Sequence, residues 1–389
     1  MSARDRLLLG IIMAKVFAAR SMRIAVQGSG VAAASCAQRL SSAHTVTVFE
    51  SGRGPGGRTS TRRSGAYQWD HGAQYFTPKT DEFAGAVDEW RASGFCEVWE
   101  AAHCVWSADG GVSPDPMAGT NKRYVGSPGM NAICKGLLSE VDETRYETRA
   151  AAKRNERTGG WALTHAKTGA ALGEFDFLIC TDKTAALRHR SDLDQDLLRG
   201  FVAPASAVRS HPSLALMVAT TATRLKFDSL LLDDHQAFSW LARDDSKPGR
   251  PRVDGVECWV AHASPSFTQR LLDASKKESR RKRSPNALRS AIVRGLLPQF
   301  EALVSELGGG RGRGGDLEVL VAQGHRWGGA FPVAPFGGAS AARDGPFYLD
   351  REHAFGACGD FFSPSPGRVE GAWVSGTSLA NDLLLSGES

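Results

Sequence analysis

An α/β fold, with a Rossmann-type nucleotide domain and a second α+β domain, follows from three observations on this sequence. Residues 23–50 read as a strand, a glycine turn, a helix and a second strand ending in an acid. Near the far end, Gly359-Asp360 is followed by Gly371-Ala372-Trp373, which opens another helix. At 389 residues the chain is too long for one small core and fits two domains, or one nucleotide domain with a large insertion.

The first unit carries the most chemistry. Ile24 and Val26 mark a short buried strand that runs into Gly28-Ser29-Gly30-Val31-Ala32-Ala33. Gly28 permits the sharp turn, Gly30 removes a side chain that would block a pyrophosphate, and Ala33 lets the helix pack closely on the strand. The first N–H groups of the helix, 31–40, then face an anion. A second apolar strand, 45–49, ends in Glu50, placed to accept hydrogen bonds from a ribose diol. A glycine triplet alone marks any tight strand-to-helix turn. The strand, helix, second strand and spaced acid together predict a dinucleotide site, and the acid favours FAD or NAD over NADP.

A hydrophobic share of 42% and a net charge of +5 suit an ordinary globular protein and argue against a nucleic-acid binder. Seven scattered cysteines, without Cys-x-x-Cys or zinc spacing, read as reduced thiols of an intracellular protein and imply no metal. No apolar run approaches the roughly 18 residues of a membrane span. Residues 1–21 hold four basic residues against Asp5. They fit an import leader for a plastid or mitochondrion, or an unstructured extension before Met22 in a cytoplasmic protein.

Further along, Gly52-Arg53-Gly54-Pro55-Gly56-Gly57-Arg58 is a loop whose backbone approaches a ligand closely and whose Arg58 suits a phosphate. The irregular segment 70–78 holds Gln74 and Tyr75. Phe83, Val87 and Trp90 are spaced for one face of a helix over 81–93. Between 94 and 122, helix and strand are not separable by pattern. A helix is expected over 131–139, strands over 146–153, 160–165, 175–180, 212–218 and 258–263, and helix starts at Ser264-Pro265 and Ser284-Pro285. The basic run 276–283 reads as a solvated linker or a nucleic-acid contact, and the Gly/Arg stretch 308–315 as a surface loop.

The glycine triplet, the acid of the second strand and Gly56-Gly57-Arg58 together resemble the FAD-binding amine oxidase superfamily. The elements Gly72-Ala73-Gln74-Tyr75, 124–130 and His325-Arg326-Trp327 are similar to its renalase-like branch, and the resemblance covers about 22–382. It implies a discontinuous FAD-binding domain of 22–80, 124–186 and 350–389, with a substrate domain of 81–123 and 187–349. It implies FAD contacts from Gly28, Gly30, Ala33, Glu50, Gly57, Arg58, Gln74, Gly359, Asp360, Gly371, Ala372 and Trp373. It also sets Tyr75, His262 and Trp327 on the substrate side of the flavin. The chain departs from bacterial members at Thr181-Asp182-Lys183, which stands where they have an apolar-proline turn.

By that resemblance the activity is oxidation of a 2- or 6-dihydro isomer of NAD(P), a reduced nicotinamide nucleotide, by hydride transfer to flavin with O2 as acceptor. No Ser-His-Asp or Cys-His nucleophile is legible, and flavin chemistry requires none. Two other readings stand beside it. One is a flavin amine oxidase, for which the sequence identifies no acid to hold an ammonium. The other is an FAD-stabilised protein whose basic run contacts RNA or an acidic partner.

Overall fold

The computed structural model describes residues 21–187, 189–190, 192–278, 285–308, 317–333, 335–336 and 345–386. The stretch 1–20, the basic run from 279 and the Gly/Arg stretch from 309 therefore lie outside the described residues.

The opening unit forms as read: β1 (Arg23–Gln27), α1 (Val31–Leu40) and β2 (Thr45–Phe49). Ile24, Ala25 and Val26 are fully buried, and α1 turns Ala33, Ala34, Cys36, Ala37 and Leu40 into the core. A hairpin of β3 (Thr61–Ser64) and β4 (Tyr67–Asp70) precedes α2 (Asp81–Ala92). The Thr80 hydroxyl caps α2 by accepting from the Phe83 N–H at 3.3 Å. Phe83, Val87 and Trp90 are buried on one face, as their spacing predicts. The ambiguous stretch resolves into strands β5 (Cys96–Val98), β6 (His103–Ser107) and β7 (Gly111–Pro114), followed by β8 (Tyr124–Gly126).

Next come α3 (Ala132–Leu138), β9 (Glu143–Arg145), β10 (Ala150–Asn155), β11 (Gly160–His165), β12 (Ala171–Phe175) and β13 (Phe177–Cys180). Two expectations are corrected here. The strand expected over 146–153 begins only at Ala150, because Glu147 has φ +52° and the backbone turns there. The single strand expected over 175–180 is two strands. Phe175 ends the antiparallel meander β10–β11–β12, whereas Phe177 begins pairing in parallel with β1.

The second half contributes α4 (Arg199–Ala207), β14 (Ser210–Thr221), β15 (Ser229–Leu232), β16 (Phe238–Arg243) and β17 (Val256–Ala263). It continues with α5 (Pro265–Glu278), α6 (Pro285–Leu307), β18 (Val319–Pro332), β19 (Phe347–Asp350), β20 (Phe355–Cys358) and α7 (Val369–Ser386). Both Pro-led helices start where expected, and α7 starts two residues before Gly371.

Two sheets organise the chain. The first has strand order β19-β20-β13-β1-β2-β9 and is parallel apart from β19. Helices α1 and α7 pack together on it. Their approach is so close that a Cβ at Gly376 would lie 2.2 Å from the Ala32 carbonyl oxygen, so only glycine fits. The second sheet runs β18-β14-β17-β16-β15-β6-β7. On β14, Leu214, Leu216 and Val218 share one core with Ile292, Leu296 and Phe300 of α6. Each such side chain contributes about 1.5–3 kcal/mol by leaving water. The alternate residues, Ser213, Ala215 and Met217, point to the opposite face, where the β3–β4 hairpin docks through Trp69 Nε1–H donating to the Val218 carbonyl at 2.9 Å. The stretch 81–123 divides between the layers: α2 packs on α7, and β6–β7 lie at the edge of the second sheet. Among the described residues, no helix is long and apolar enough to cross a membrane.

Candidate active site

One cavity of about 1180 Å³ runs from the carboxyl ends of β1 and β2 to the inner face of β17 and β18. At its first end Gly28 takes φ +105°, a region L side chains rarely adopt, and its N–H donates to the Phe49 carbonyl at 2.8 Å. A Cβ there would come within 2.4 Å of Thr181 Oγ1. Thr181 is itself fixed by donating through Oγ1 to the Gln27 carbonyl at 2.8 Å. No side chain caps α1, and a Cβ at Gly30 would meet nothing closer than 3.8 Å. The first-turn N–H groups of α1 therefore face open space beside Ala33. The Glu50 carboxylate accepts from Ser29 Oγ and the Gly52 N–H, which aim it along the same wall and leave lone pairs for another donor.

The far end of the chain closes the middle of the cavity. Arg58 forms a two-pronged ion pair with Asp360, 302 positions away, and donates to the Ala330 carbonyl at 3.1 Å. Burial, the largest single influence, acts to lower the Arg58 pKa, but the charge and hydrogen bonds of Asp360 with the charge of Asp182 together turn the net direction upward. Asp360 also accepts from the Gly367 N–H at 2.8 Å, and Gly359 N–H donates to Ser375 Oγ at 2.8 Å. Gly57, Gly359 and Ala372 line the cavity with them. Gly371 backs instead onto Ser363, and Trp373 packs on Phe83 at 5.3 Å; neither lines the cavity.

The opposite end is built by strand register. His325 of β18 and His262 of β17 both pair with Ala215 of β14, so the two imidazoles flank one small residue on one face. Trp327, two residues from His325, shares that face. The His71 carbonyl accepts from Trp327 Nε1–H at 2.8 Å and from His262 Nε2–H at 3.2 Å, locking its loop onto the sheet. The His71 ring lies 4.9 Å from Trp327 and 4.6 Å from His325. All four side chains line the cavity.

Burial first, then the neighbouring His325 and Arg62, push His71 down to about 3. Burial pushes His262 down to about 4, and burial with Arg62 and Arg289 does the same to His325. The three imidazoles of the aromatic end wall are thus neutral at neutral pH. His71 Nδ1 is buried and has no partner among the described residues.

Gln74 and Tyr75, expected at the ligand, turn the other way and do not line the cavity. Gln74 Oε1 accepts from Lys247 Nζ at 3.3 Å, and Tyr75 packs on Trp240 at 5.4 Å with the Arg123 guanidinium 4.7 Å over its ring. Lys247 belongs to a fully buried quartet with Asp70, Asp244 and Arg250. Burial alone would raise Asp70, but Arg250 and Lys247 hold it at about 2; burial and the Asp70 charge push Asp244 upward. The quartet balances two anions against two cations and fixes the backbone next to His71.

Sequence reading singled out none of His71, His325 and Arg62 as a site residue, although His71 falls in the segment 70–78 and His325 in the His325-Arg326-Trp327 element that it did name. The signal for His325 was its two-residue spacing from Trp327 on a strand.

The class that this fold and site define is a Rossmann-like dinucleotide-binding layer joined to a second, mostly antiparallel sheet. Residues 26–90 match the NAD(P)-binding Rossmann-like domain family. Over nearly its whole length the chain is similar in fold to known structures of two oxidases and a mutase. It covers 94% of itself and 99% of a structure assigned as protoporphyrinogen oxidase from Exiguobacterium sp. 255-15, at TM-score 0.65 and 11% identity. Against wild-type putrescine oxidase bound to putrescine it covers 94% of itself and 99% of that chain, at TM-score 0.60 and 13% identity. Reduced UDP-galactopyranose mutase gives TM-score 0.66 and 11% identity, with 94% and 96% covered. At these identities the likeness is one of fold.

Proposed function

We propose that this protein is an FAD-dependent oxidoreductase whose cavity holds FAD at one end and a reduced donor at the other. The observation that carries the reading is the continuity of one cavity from the Gly28–Glu50 unit, past Asp360 and Ala372, to His262 and Trp327. The residues present fit the cofactor. Gly28, Gly30 and the bare start of α1 offer N–H groups to a diphosphate, and Glu50 offers lone pairs to a ribose. Arg58 and Asp360 offer charged hydrogen-bonding groups along the middle of the wall. Bound FAD would supply a two-electron acceptor for hydride, with O2 reoxidising it.

The chain's own residues then orient the donor and shield it from water. Trp327 and the His71 ring give flat apolar walls, while three neutral imidazoles offer hydrogen bonds without adding charge. Such a chamber suits a planar uncharged ring, which supports the dihydronicotinamide isomers implied by the renalase-like resemblance. Likeness to putrescine oxidase favours amine oxidation as the second reading. Against it, the carboxylates lining the cavity are Glu50, Asp182 and Asp360, none on the β17–β18 wall, and Asp360 is already paired with Arg58.

The test is the absorption spectrum of the purified protein, then anaerobic addition of 2- and 6-dihydroNAD(P) or of putrescine. Flavin bands that bleach with the nicotinamide isomers and not with the amine are expected. Bleaching by putrescine alone would overturn the donor assignment, and protein that stays colourless with added FAD would overturn the whole reading.

A further inference from the structure

The donor end of the cavity carries a cation without a counter-charge. On β3, Thr61 Oγ1 donates to buried Asp70 at 2.7 Å, and Arg62, which pairs across the hairpin with Trp69, joins the cavity wall with its neighbours Thr61 and Arg63. Arg62 Nε is buried with no hydrogen-bond partner, and among the described residues no carboxylate lies within ion-pairing distance of Arg62. Its neighbours make the imbalance worse: burial, then Arg289 and Arg53, depress its pKa.

Arg289 stands at the start of α6, and that turn rests directly on β18. A Cβ at Gly324, beside His325, would lie 2.6 Å from the Arg289 carbonyl oxygen. Arg62 acts on both His71 and His325, and Arg289 on His325 from the α6 side of β18, so of the two cations Arg62 is the one that shares the cavity wall with the imidazoles. A guanidinium in the wall without a carboxylate partner is a poor neighbour for an ammonium and a good one for a phosphate, which it can take by two parallel hydrogen bonds.

We propose that Arg62, supported by Arg289, is an anion subsite over the His71–His325–Trp327 chamber that takes a phosphate of the donor. The donors are then planar uncharged rings on phosphorylated tails, and neither free amines nor unphosphorylated rings are good ones. This rests on the assignment of FAD to the Gly28 end of the cavity, which leaves the His71–Trp327 end for the donor.

The experiment uses flavin-loaded protein, so that the cofactor's own diphosphate site is filled, and compares wild type with Arg62→Gln and Arg289→Gln. Calorimetric titration with inorganic pyrophosphate should show binding that weakens with added KCl and falls about tenfold in Arg62→Gln. Flavin reduction should follow the same pattern. Dihydronicotinamide mononucleotide should outcompete the corresponding riboside in wild type, and Arg62→Gln should erase that advantage.

Equal pyrophosphate affinity in wild type and Arg62→Gln would overturn the subsite. So would an undiminished mononucleotide advantage in the variant. The flavin absorbance of the same samples reports the cofactor separately. Retained flavin with no Arg62-dependent anion binding sinks the subsite alone, whereas Arg62-dependent anion binding with no bleaching by any dihydronicotinamide sinks only the donor assignment.

Discussion

Replacing Arg250 by Met tests whether the buried quartet sets the donor end of the cavity. The Arg250 side chain is 1% exposed. It pairs with Asp70, donates to the Gly126 carbonyl at 2.7 Å and the Pro248 carbonyl at 2.9 Å, and lies 3.6 Å from Asp244. Met fills similar volume but leaves two buried carboxylates facing only Lys247, 2.7 Å from Asp244 and 3.6 Å from Asp70. Breaking such a buried pair costs about 3–5 kcal/mol. At roughly 2.1 cal/mol/K of unfolding entropy per residue, that corresponds to a fall in Tm of about 4–6 °C for a chain of this length. Urea unfolding followed by tryptophan fluorescence, together with calorimetry, measures it. Adding Asp70→Asn should recover part of the loss, because the remaining Asp244 and Lys247 are again neutral together. A Met variant within 1 kcal/mol of wild type, or a double variant whose losses simply add, would refute the account. Flavin reduction should slow as well, since Asp70 adjoins the His71 carbonyl that anchors Trp327 and His262.

Three further outcomes are expected. Gly28→Ala, strained at φ +105° and crowded by Thr181 Oγ1, should cost about 1–3 kcal/mol and shed flavin on gel filtration; full retention would contradict the turn's role. Asp360→Asn weakens the partner of Arg58 and should raise the dissociation constant for FAD about tenfold, read by quenching of flavin fluorescence, with an unchanged constant counting against it. Stability should fall with acidification, because His71, His262 and His325 sit at about 3, 4 and 4 when folded, below their ordinary 6.5. Unfolded imidazoles take up protons as the pH drops through 6.5 while the folded ones do not. The contribution is therefore complete above that pH and lost progressively toward 4, at up to about 1.4 kcal/mol per pH unit for each histidine. Urea midpoints that stay flat between pH 7 and 5, or a slope that His71→Asn leaves unaltered, would contradict it.

Local rules carried the first unit from sequence to structure. Residues 23–50 form their elements within themselves, and Gly28, Gly30 and Glu50 all line the cavity. The segment 70–75 shows where local reading stops. Nothing in its pattern tells that His71 to Ala73 face the cavity while Gln74 and Tyr75 turn to the quartet and the core; that choice is made by Asp244, Lys247, Trp240 and Arg123, far away in sequence. The Phe175/Phe177 break escaped for a like reason, since a continuous apolar run does not reveal that its two halves pair in different sheets. His262 and His325 meet only through the register of β14, and Ala215, the residue that brings them together, has no chemistry of its own.

The position of β20 in the first sheet has a consequence for biosynthesis. This strand comes almost last in the chain, yet it lies between β13 and β19, and Asp360 follows directly after it. A nascent polypeptide that has not yet released residue 360 into solution has an open flank along β13 and lacks the Gly359–Asp360 part of the cavity wall. Closure of the cavity therefore waits for β20, and any fragment ending before that strand should emerge with β13 unpaired and ready to meet the wrong neighbour.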